Sequence, residues 1–471
     1  MDARALLTAL LEPGSFRSWD EPITSAPAAG AAGYAAELAA ARARTGLDES
    51  VVTGQGRIGG HPVAVAASEF GFLGGSIGVA AGERLTRAAE RATADRLPLI
   101  ALPASGGTRM QEGTLAFLQM VKITGAVTAH RRAHLPYLVY LRHPVTGGVF
   151  ASWASLGHLT LAEPGALIGF LGPRVYEALA GQPFPPGVQT AENLAAHGLI
   201  DAVVAPDQLG AYVGRVLDAL TPGTADVGAE DGAAEERAAG PDVWAAVLRT
   251  RDPGYPDARA LIAAAATGVV SLHDGSVILA LARIGGTPVV LVAQDRHGAP
   301  PGPDALRVAR RGVRLAAGLG QPLVTVIDTT GGELSAAAEE GGLAGEIAAT
   351  LAELLTTPGP TVSVLLGQGT GGAALALLPA DRTVAAADAW LAPLAPEGAS
   401  AIVHRDAGHA AELARGQGIG AADLAAAGVV DEVVGTAGLA GAIGRALASV
   451  TAADEATRLA GRARRYRRLP E

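Results

Sequence analysis

The sequence predicts two copies of one α/β domain, each built on largely parallel strands buried on both faces. Three observations predict it. Four segments recur in the same order, displaced by about 224 to 230 positions: RIGGHPVAVAASEF (57–70) with RIGGTPVVLVAQDR (283–296), LPLIALPASGGT (97–108) with QPLVTVIDTTGGE (321–333), HPVTGGVFAS (143–152) with GQGTGGAALA (367–376), and NLAAHGLIDAVV (193–204) with DLAAAGVVDEVV (423–434). Low-complexity Ala/Gly sequence mimics one such match, not four in register. Short runs of Val, Leu and Ile end in paired glycines and lead into helix-compatible stretches, the pattern of doubly buried strands joined by βαβ crossovers. Finally, 471 residues exceed one ordinary core.

Taken in order, residues 1–45 read as an N-terminal helical segment, with Leu6, Leu7, Leu10 and Leu11 at helical spacing. The first domain is expected over 46–220. Positions 221–242 are rich in Gly, Ala and acids with no apolar period, so they read as a linker. The second domain is expected over 243–455, and 456–471 form a basic tail expected to be solvated.

Composition excludes several classes. The absence of cysteine removes disulfides, thiolate nucleophiles, iron–sulfur clusters and zinc ribbons. No apolar run reaches the roughly 18 residues of a membrane span, and the N-terminus lacks a basic region like that of a signal peptide. With 36 basic against 46 acidic residues and no basic aromatic stripe, nucleic acid is not an expected partner. A cytoplasmic globular enzyme is the expectation.

The chemistry-bearing candidates are mostly glycines. Gly147–Gly148 and Gly371–Gly372 each follow a buried strand and open a small-residue helix. The first helical turn leaves backbone N–H groups unpaired, and glycine allows close approach of a ligand. Two such donors make an oxyanion hole, each worth roughly 10² to 10³ in rate. A tight turn packing helix on strand accounts for one pair as well; equivalent pairs in both copies bring the oxyanion reading level with it. Side-chain catalysts are few. His130 and His134 share a helical face without an HExxH motif and read as surface residues. Ser105 lacks the GxSxG elbow, Glu112 reads equally as a structural anchor, and Asp328 reads as an N-cap. A cofactor or substrate that supplies its own base would explain the deficit.

SEFGFLGGSIG (68–78), LPLIALPASGGTRMQEG (97–113) and PVTGGVFASWASLGHLTLAEPGALIGFLGPR (144–174) resemble the β subunit of bacterial acetyl-CoA carboxylase carboxyltransferase. The second half, through RIGGTPVVLVAQ (283–294), QPLVTVIDTTGG (321–332), GQGTGGAALAL (367–377) and APEGASAIVHRDAGHAAELA (395–414), resembles the α subunit. The resemblance implies two tandem crotonase-like (ClpP/crotonase) ββα-superhelix domains in one polypeptide. It also implies transfer of CO₂ from carboxybiotin on a carrier protein to the α-carbon of an acyl-CoA, acetyl-CoA giving malonyl-CoA for fatty acid biosynthesis. Two anionic oxygens then need two holes. Gly147–Gly148 would hold the acyl-CoA oxygen, and Gly372–Ala373, following Gly371 in the second catalytic turn, the biotin oxygen. Gly74, Gly75, Ser105, Gly106 and Gly107 would line the CoA channel. Arg109, Gly169, Gly172, Gly331, Gly332, Glu397 and Gly398 complete the expected CoA and biotin contacts.

Implied partners are a biotin carboxyl carrier protein, a biotin carboxylase and a second copy of the chain, as homodimer or larger homo-oligomer. No metal is implied, because the β-type zinc ribbon is missing. The 295–304 and 329–333 segments depart from the α-type pattern on the expected biotin side. A malonyl or methylmalonyl thioester decarboxylase on the same fold, or a non-catalytic scaffold, are the competing expectations. Arginine faces at Arg307, Arg310, Arg311 and Arg314, and at Arg84, Arg87 and Arg91, are expected to meet phosphates or an acidic carrier, or to be solvated.

Overall fold

Residues 1–23, 33–223 and 242–468 are described by the computed structural model of the chain, which divides into two units, Met1–Leu217 and Asp218–Glu471. Residues 224–241, nearly all of the expected linker, lie outside the described residues.

The first unit carries strands β1 (Arg17–Ser18), β2 (Val51–Ile58), β3 (His61–Ser68), β4 (Leu99–Leu102), β5 (Tyr137–Leu141), β6 (Val145–Thr146), β7 (Leu159–Ala162), β8 (Ile168–Gly169) and β9 (Ala202–Val203). Its sheet runs β1-β2-β3-β4-β5-β7-β9, and β6 pairs with β8 apart from it. The β1–β2–β3 pairings are antiparallel and all later ones parallel. Ile58 pairs with His61 across Gly59–Gly60, both left-handed (φ +55° and +81°), the geometry of a two-residue hairpin turn that glycine suits. Every residue of β4, β5 and β7 is buried. Helices Val79–Ala94 and Gly113–Arg132 lie against this sheet, packing Leu85, Ala89, Ile123 and Val127 with Leu99 and Val139.

The second unit carries β10 (Ala266–His273), β11 (Val277–Ile284), β12 (Thr287–Gln294), β13 (Leu323–Thr329), β14 (Thr361–Thr370), β15 (Arg382–Ala386), β16 (Trp390–Ala392) and β17 (Glu432–Val434). The order is β10-β11-β12-β13-β14-β15-β17, with β16 on the far end of β14. The β10–β11–β12 pairings are antiparallel and the rest parallel, as in the first unit. Each recurring segment occupies a corresponding place in its unit: a hairpin, a central strand with its loop, a strand end opening a helix (β6 against β8 in the first unit, the end of β14 against β16 in the second), and an edge strand. The strand order never reverses, so neither sheet has the switch point of a doubly wound fold.

Residues 1–45 are built into the first unit. Asp2 caps the Ala3–Leu10 helix, which buries Leu6, Leu7 and Leu10, and Ala3 N–H donates to Glu69 Oε2 (2.8 Å).

The basic C-terminal stretch is not a solvated tail. Glu455–Arg467 is a helix, and Arg462 is buried against Asp381 (Nε–Oδ1 2.9 Å, Nη2–Oδ2 3.0 Å) and the carbonyls of Leu354, Thr357 and Gly359. A guanidinium supplied with that many acceptors is stable away from water. The expected surface placement of His130 is corrected likewise: it is buried, with Nδ1 3.0 Å from Thr93 Oγ1, and burial lowers its affinity for a proton.

Candidate active site

Four loops lie edge to edge at the C-terminal ends of the first unit's central strands. Gly106 N–H donates to Gly74 O (2.9 Å), and Ile77 N–H to Gly107 O (2.9 Å). Ser105 N–H donates to Pro144 O (2.7 Å), and Thr146 N–H to Ser105 O (2.9 Å). Val145 N–H donates to Leu167 O and Gly147 N–H to Phe170 O, both at 2.9 Å. This stacking gathers Gly74, Gly75, Ser105, Gly106, Gly107, Gly147, Gly148 and Gly169. Side chains would prevent it: a Cβ at Gly75 would collide with the Ala104 carbonyl. Gly107 is left-handed (φ +110°), and a Cβ there would sit 3.6 Å from Gly148 N. The buried Ser105 hydroxyl accepts from Gly107 N–H (3.0 Å), so it braces the loop from within.

The two glycines of the first turn act differently. Gly147 supplies the left-handed corner (φ +64°), and its N–H is engaged by Phe170 O. It is therefore not the donor that the sequence suggested. Gly148 stands in the first turn of the Gly147–Phe150 helix, where an N–H has no acceptor inside the helix. The place of Gly169's missing side chain is taken by the Gln189 amide, whose Nε2 donates to Leu171 O (2.8 Å), so Gly169 makes room for protein. Gly172 begins the Pro173–Ala180 helix, and a Cβ there would lie 3.9 Å from Thr146 Oγ1.

The second unit repeats the device. Gly331 N–H donates to Thr329 Oγ1 (3.2 Å), and Glu333 N–H to Pro301 O (3.0 Å), as Arg109 N–H donates to Ile77 O (3.0 Å). Gly331 is left-handed (φ +133°), and a Cβ on it would lie 3.6 Å from Thr370 Cγ2. A Cβ on Gly332 would lie 3.7 Å from the Ala373 Cβ. Gly371 makes the left-handed corner (φ +71°), and Gly372 and Ala373 occupy the first turn of the Gly371–Leu375 helix. Gln294, fully buried, donates from Nε2 to Ala373 O (2.7 Å). The Thr370 hydroxyl beside them is buried and without a partner among the described residues.

Several expected contacts are corrected. Arg109 is fully buried and paired with Glu49, so it does not face a ligand. Glu397 is paired with Arg251 (2.6 and 3.0 Å), whose bonds hold its carboxyl below the usual range. Gly398, next to it, has the Leu394 Cβ as its near neighbour (3.9 Å from a built Cβ). Neither bonds to the glycine loops among the described residues. Arg307 and Arg310 bond Glu346, and Arg310 and Arg314 bond Glu353, on the Leu343–Thr356 helix. Arg84 is buried against Asp48 and Asp20, and Arg87 pairs with Glu83 and Glu21. Arg84, Arg87, Arg307, Arg310 and Arg314 are thus paired with acids of their own unit.

Gln294, Thr370 and the buried Arg296–Asp328 pair (2.6 Å) are not among the expected site residues. The QDR at the end of the second recurring hairpin, where the first has SEF, is the one visible signal for two of them. No cluster of three or more metal-ligating side chains occurs among the described residues, and none of their helices is long and apolar enough to cross a membrane.

A family described as the carboxyl transferase domain matches residues 3–458. The probable biotin-dependent acyl-coenzyme A carboxylase beta3 subunit of Mycobacterium tuberculosis is 60% identical over 438 residues, spanning 90% of this chain and 87% of that protein. The acetyl-coenzyme A carboxylase carboxyl transferase subunits beta/alpha of Salinispora arenicola are 39% identical over 464 residues, spanning 92% and 82%. Among solved structures, transcarboxylase 12S with hydrolyzed methylmalonyl-coenzyme A bound superposes with a TM-score of 0.78 at 23% identity, over 96% of this chain and 90% of that one. At that identity the likeness is one of fold.

Proposed function

The chain belongs to the carboxyl transferase domain family, and on that premise we propose that it moves a carboxyl group between a biotin carrier and the α-carbon of a short acyl-CoA, acetyl-CoA in the simplest case. The observation that carries this reading is the pairing of a left-handed glycine corner with a first-turn N–H, once beside Gly107 and again beside Gly331. Deprotonating an acyl-CoA at its α-carbon puts negative charge on the thioester oxygen. Gly148 N–H is the donor for that oxygen, with Gly107 keeping the approach clear of side chains. Preorganised amides need no reorganisation as the charge develops.

The second site fits the ureido oxygen of biotin. Gly331 and Gly332 pack closely on Thr370 and Ala373, Gly372 leaves room for Ile347, and the orphaned Thr370 hydroxyl adds an unused polar group. Gly372 and Ala373 would hold the group by their N–H donors, with Gln294 fixing the Ala373 carbonyl. When bound, biotin supplies the carboxyl group and a basic nitrogen; this chain supplies alignment and charge stabilisation. The partners of the reading are a biotin carboxyl carrier protein, a biotin carboxylase and further copies of the chain. The equal strand orders of the two units support their reading as crotonase-like domains over 46–220 and 243–455, related by duplication.

The test runs the reaction backwards. The protein is incubated with malonyl-CoA, with and without free biotin or a biotinylated carrier domain, and acetyl-CoA is followed. Turnover that requires biotin is expected. Biotin-independent loss of the carboxyl group would replace the reading with a decarboxylase, and no turnover on any short acyl-CoA with CoA still bound would leave a scaffold.

A further inference from the structure

We propose that Arg109 is a positioning residue for the first glycine turn: its buried guanidinium, clamped by Glu49, holds the 73–77 and 104–109 loops in the register that sets Gly107 against Gly148. The proposal rests on reading that turn as the hole for the acyl-CoA oxygen, and deepens it.

A fully buried cation is costly unless it is paired and bonded throughout. Arg109 is both. Nη1 donates to Glu49 Oε2 (2.8 Å) and Nη2 to Glu49 Oε1, a bidentate pair. Nη2 also donates to Ser76 O (2.7 Å) and Ser50 Oγ (3.1 Å), while Nη1 lies 3.3 Å from Tyr34 Oη. One side chain thus ties the start of β2, the Gly74–Ile77 loop and the Tyr34–Thr45 helix to its own loop. Tyr34 in turn bonds Glu112, and burial pushes its hydroxyl up to about 12, so it stays a neutral donor.

The link to the turn is main-chain. Ser76, gripped through its carbonyl, precedes Ile77, which exchanges bonds with Arg109 (N–H to Ile77 O, 3.0 Å) and Gly107 (Ile77 N–H to Gly107 O, 2.9 Å). Displacing the guanidinium displaces residue 76, then 77, then the glycine that borders Gly148 N. Misplacement of a reacting group by about 1 Å costs up to about 10² in rate.

The second unit shows that the fold itself does not demand this clamp. Glu333 makes the same main-chain bond to Pro301, yet its side chain meets only the Ser335 hydroxyl (2.6 Å) among the described residues. The second unit's buried guanidinium, Arg296, comes from just past the end of β12 and pairs with Asp328, so a cation at the position of Arg109 belongs to the first turn.

Arg109→Lys keeps the charge but cannot span Glu49 and Ser76 together. In the full-length protein we expect kcat to fall about 10²-fold with KM for malonyl-CoA changed less than about threefold. Hydrogen exchange should rise about tenfold in peptides covering 104–109 and 144–150, with β13 and β14 unchanged. Glu49→Gln should reproduce both effects, and it carries the test if Arg109→Lys does not fold. Wild-type kcat in a folded variant, or exchange raised across the whole first unit, would overturn the proposal. Exchange is read without substrate, so absence of biotin-dependent turnover in the wild type would sink the assigned reaction while the exchange pattern still decides the positioning role.

Discussion

Gly147 and Gly148 adjoin in sequence and differ in purpose. Alanine at 147 must adopt φ near +64°, a left-handed conformation costing roughly 1 to 2 kcal/mol for an L-residue. Alanine at 148 has ordinary backbone angles and meets Met120 Cγ and Thr108 Oγ1 at 3.4 Å, tight contacts with movable side chains. Gly147→Ala should therefore lower the melting temperature measurably. Gly148→Ala keeps the N–H and should melt and turn over near the wild type, whereas Gly148→Pro, which removes the N–H in a first turn that tolerates proline, should lose about 10² in turnover in the same malonyl-CoA assay. The paired glycines were plain in the sequence, whereas the engagement of Gly147 N–H by Phe170 was not, because that partner arrives 23 residues later, in the bend just past β8. Arg109 was legible as part of the loop and illegible as a clamp. A charge's partner is chosen by tertiary packing, and nothing in the run around Glu49 advertises it.

Among elements, the β13–β14 pair carries an irregularity that side chains repair. Ile327 pairs with Leu365 and Thr329 with Gly369, so one residue of β13 faces three of β14. The loose backbone groups are taken up by Asp328 Oδ1, which accepts from Gln368 N–H (3.2 Å), and by Tyr255 Oη, which donates to Leu366 O (3.1 Å). Asp328, expected as an N-cap, is instead the plug of this bulge, paired with Arg296. Burial is the larger influence and raises its carboxyl to about 6 against the pull of Arg296. An unfolded aspartate titrates near 3.9, so between pH 4 and 6 the folded chain binds the extra proton. Stability from this group is then present below pH 4, declines as pH rises to 6, and is level above. Compared with Asp328→Asn, the wild type should lose about 2 to 3 kcal/mol between pH 4 and 7, read from denaturant unfolding at a series of pH values.

At the scale of the molecule, the recurring segments made the two units legible, since hydrophobic runs and glycine pairs are local signals that survive in each copy. The C-terminal helix was not legible. Counting arginines in RLAGRARRYRRLPE reveals charge but not the carboxylate and carbonyls awaiting Arg462. Arg462→Met would leave Asp381 buried without its closest cation, a loss of about 3 kcal/mol seen as a lower unfolding midpoint. Pairing it with Asp381→Asn should recover part of that loss, because the stranded charge is removed as well.

The glycine-closed hairpins at 58–61 and 284–287 set a clock as well as a register. A two-residue hairpin closes in about 1 to 10 μs, whereas each parallel neighbour must wait for a long crossover to be drawn in. Every unit thus owns a quick local seed beside a slow remainder. Stopped-flow refolding that resolves an early, salt-independent phase in either unit expressed apart would mark those seeds as the place where order begins.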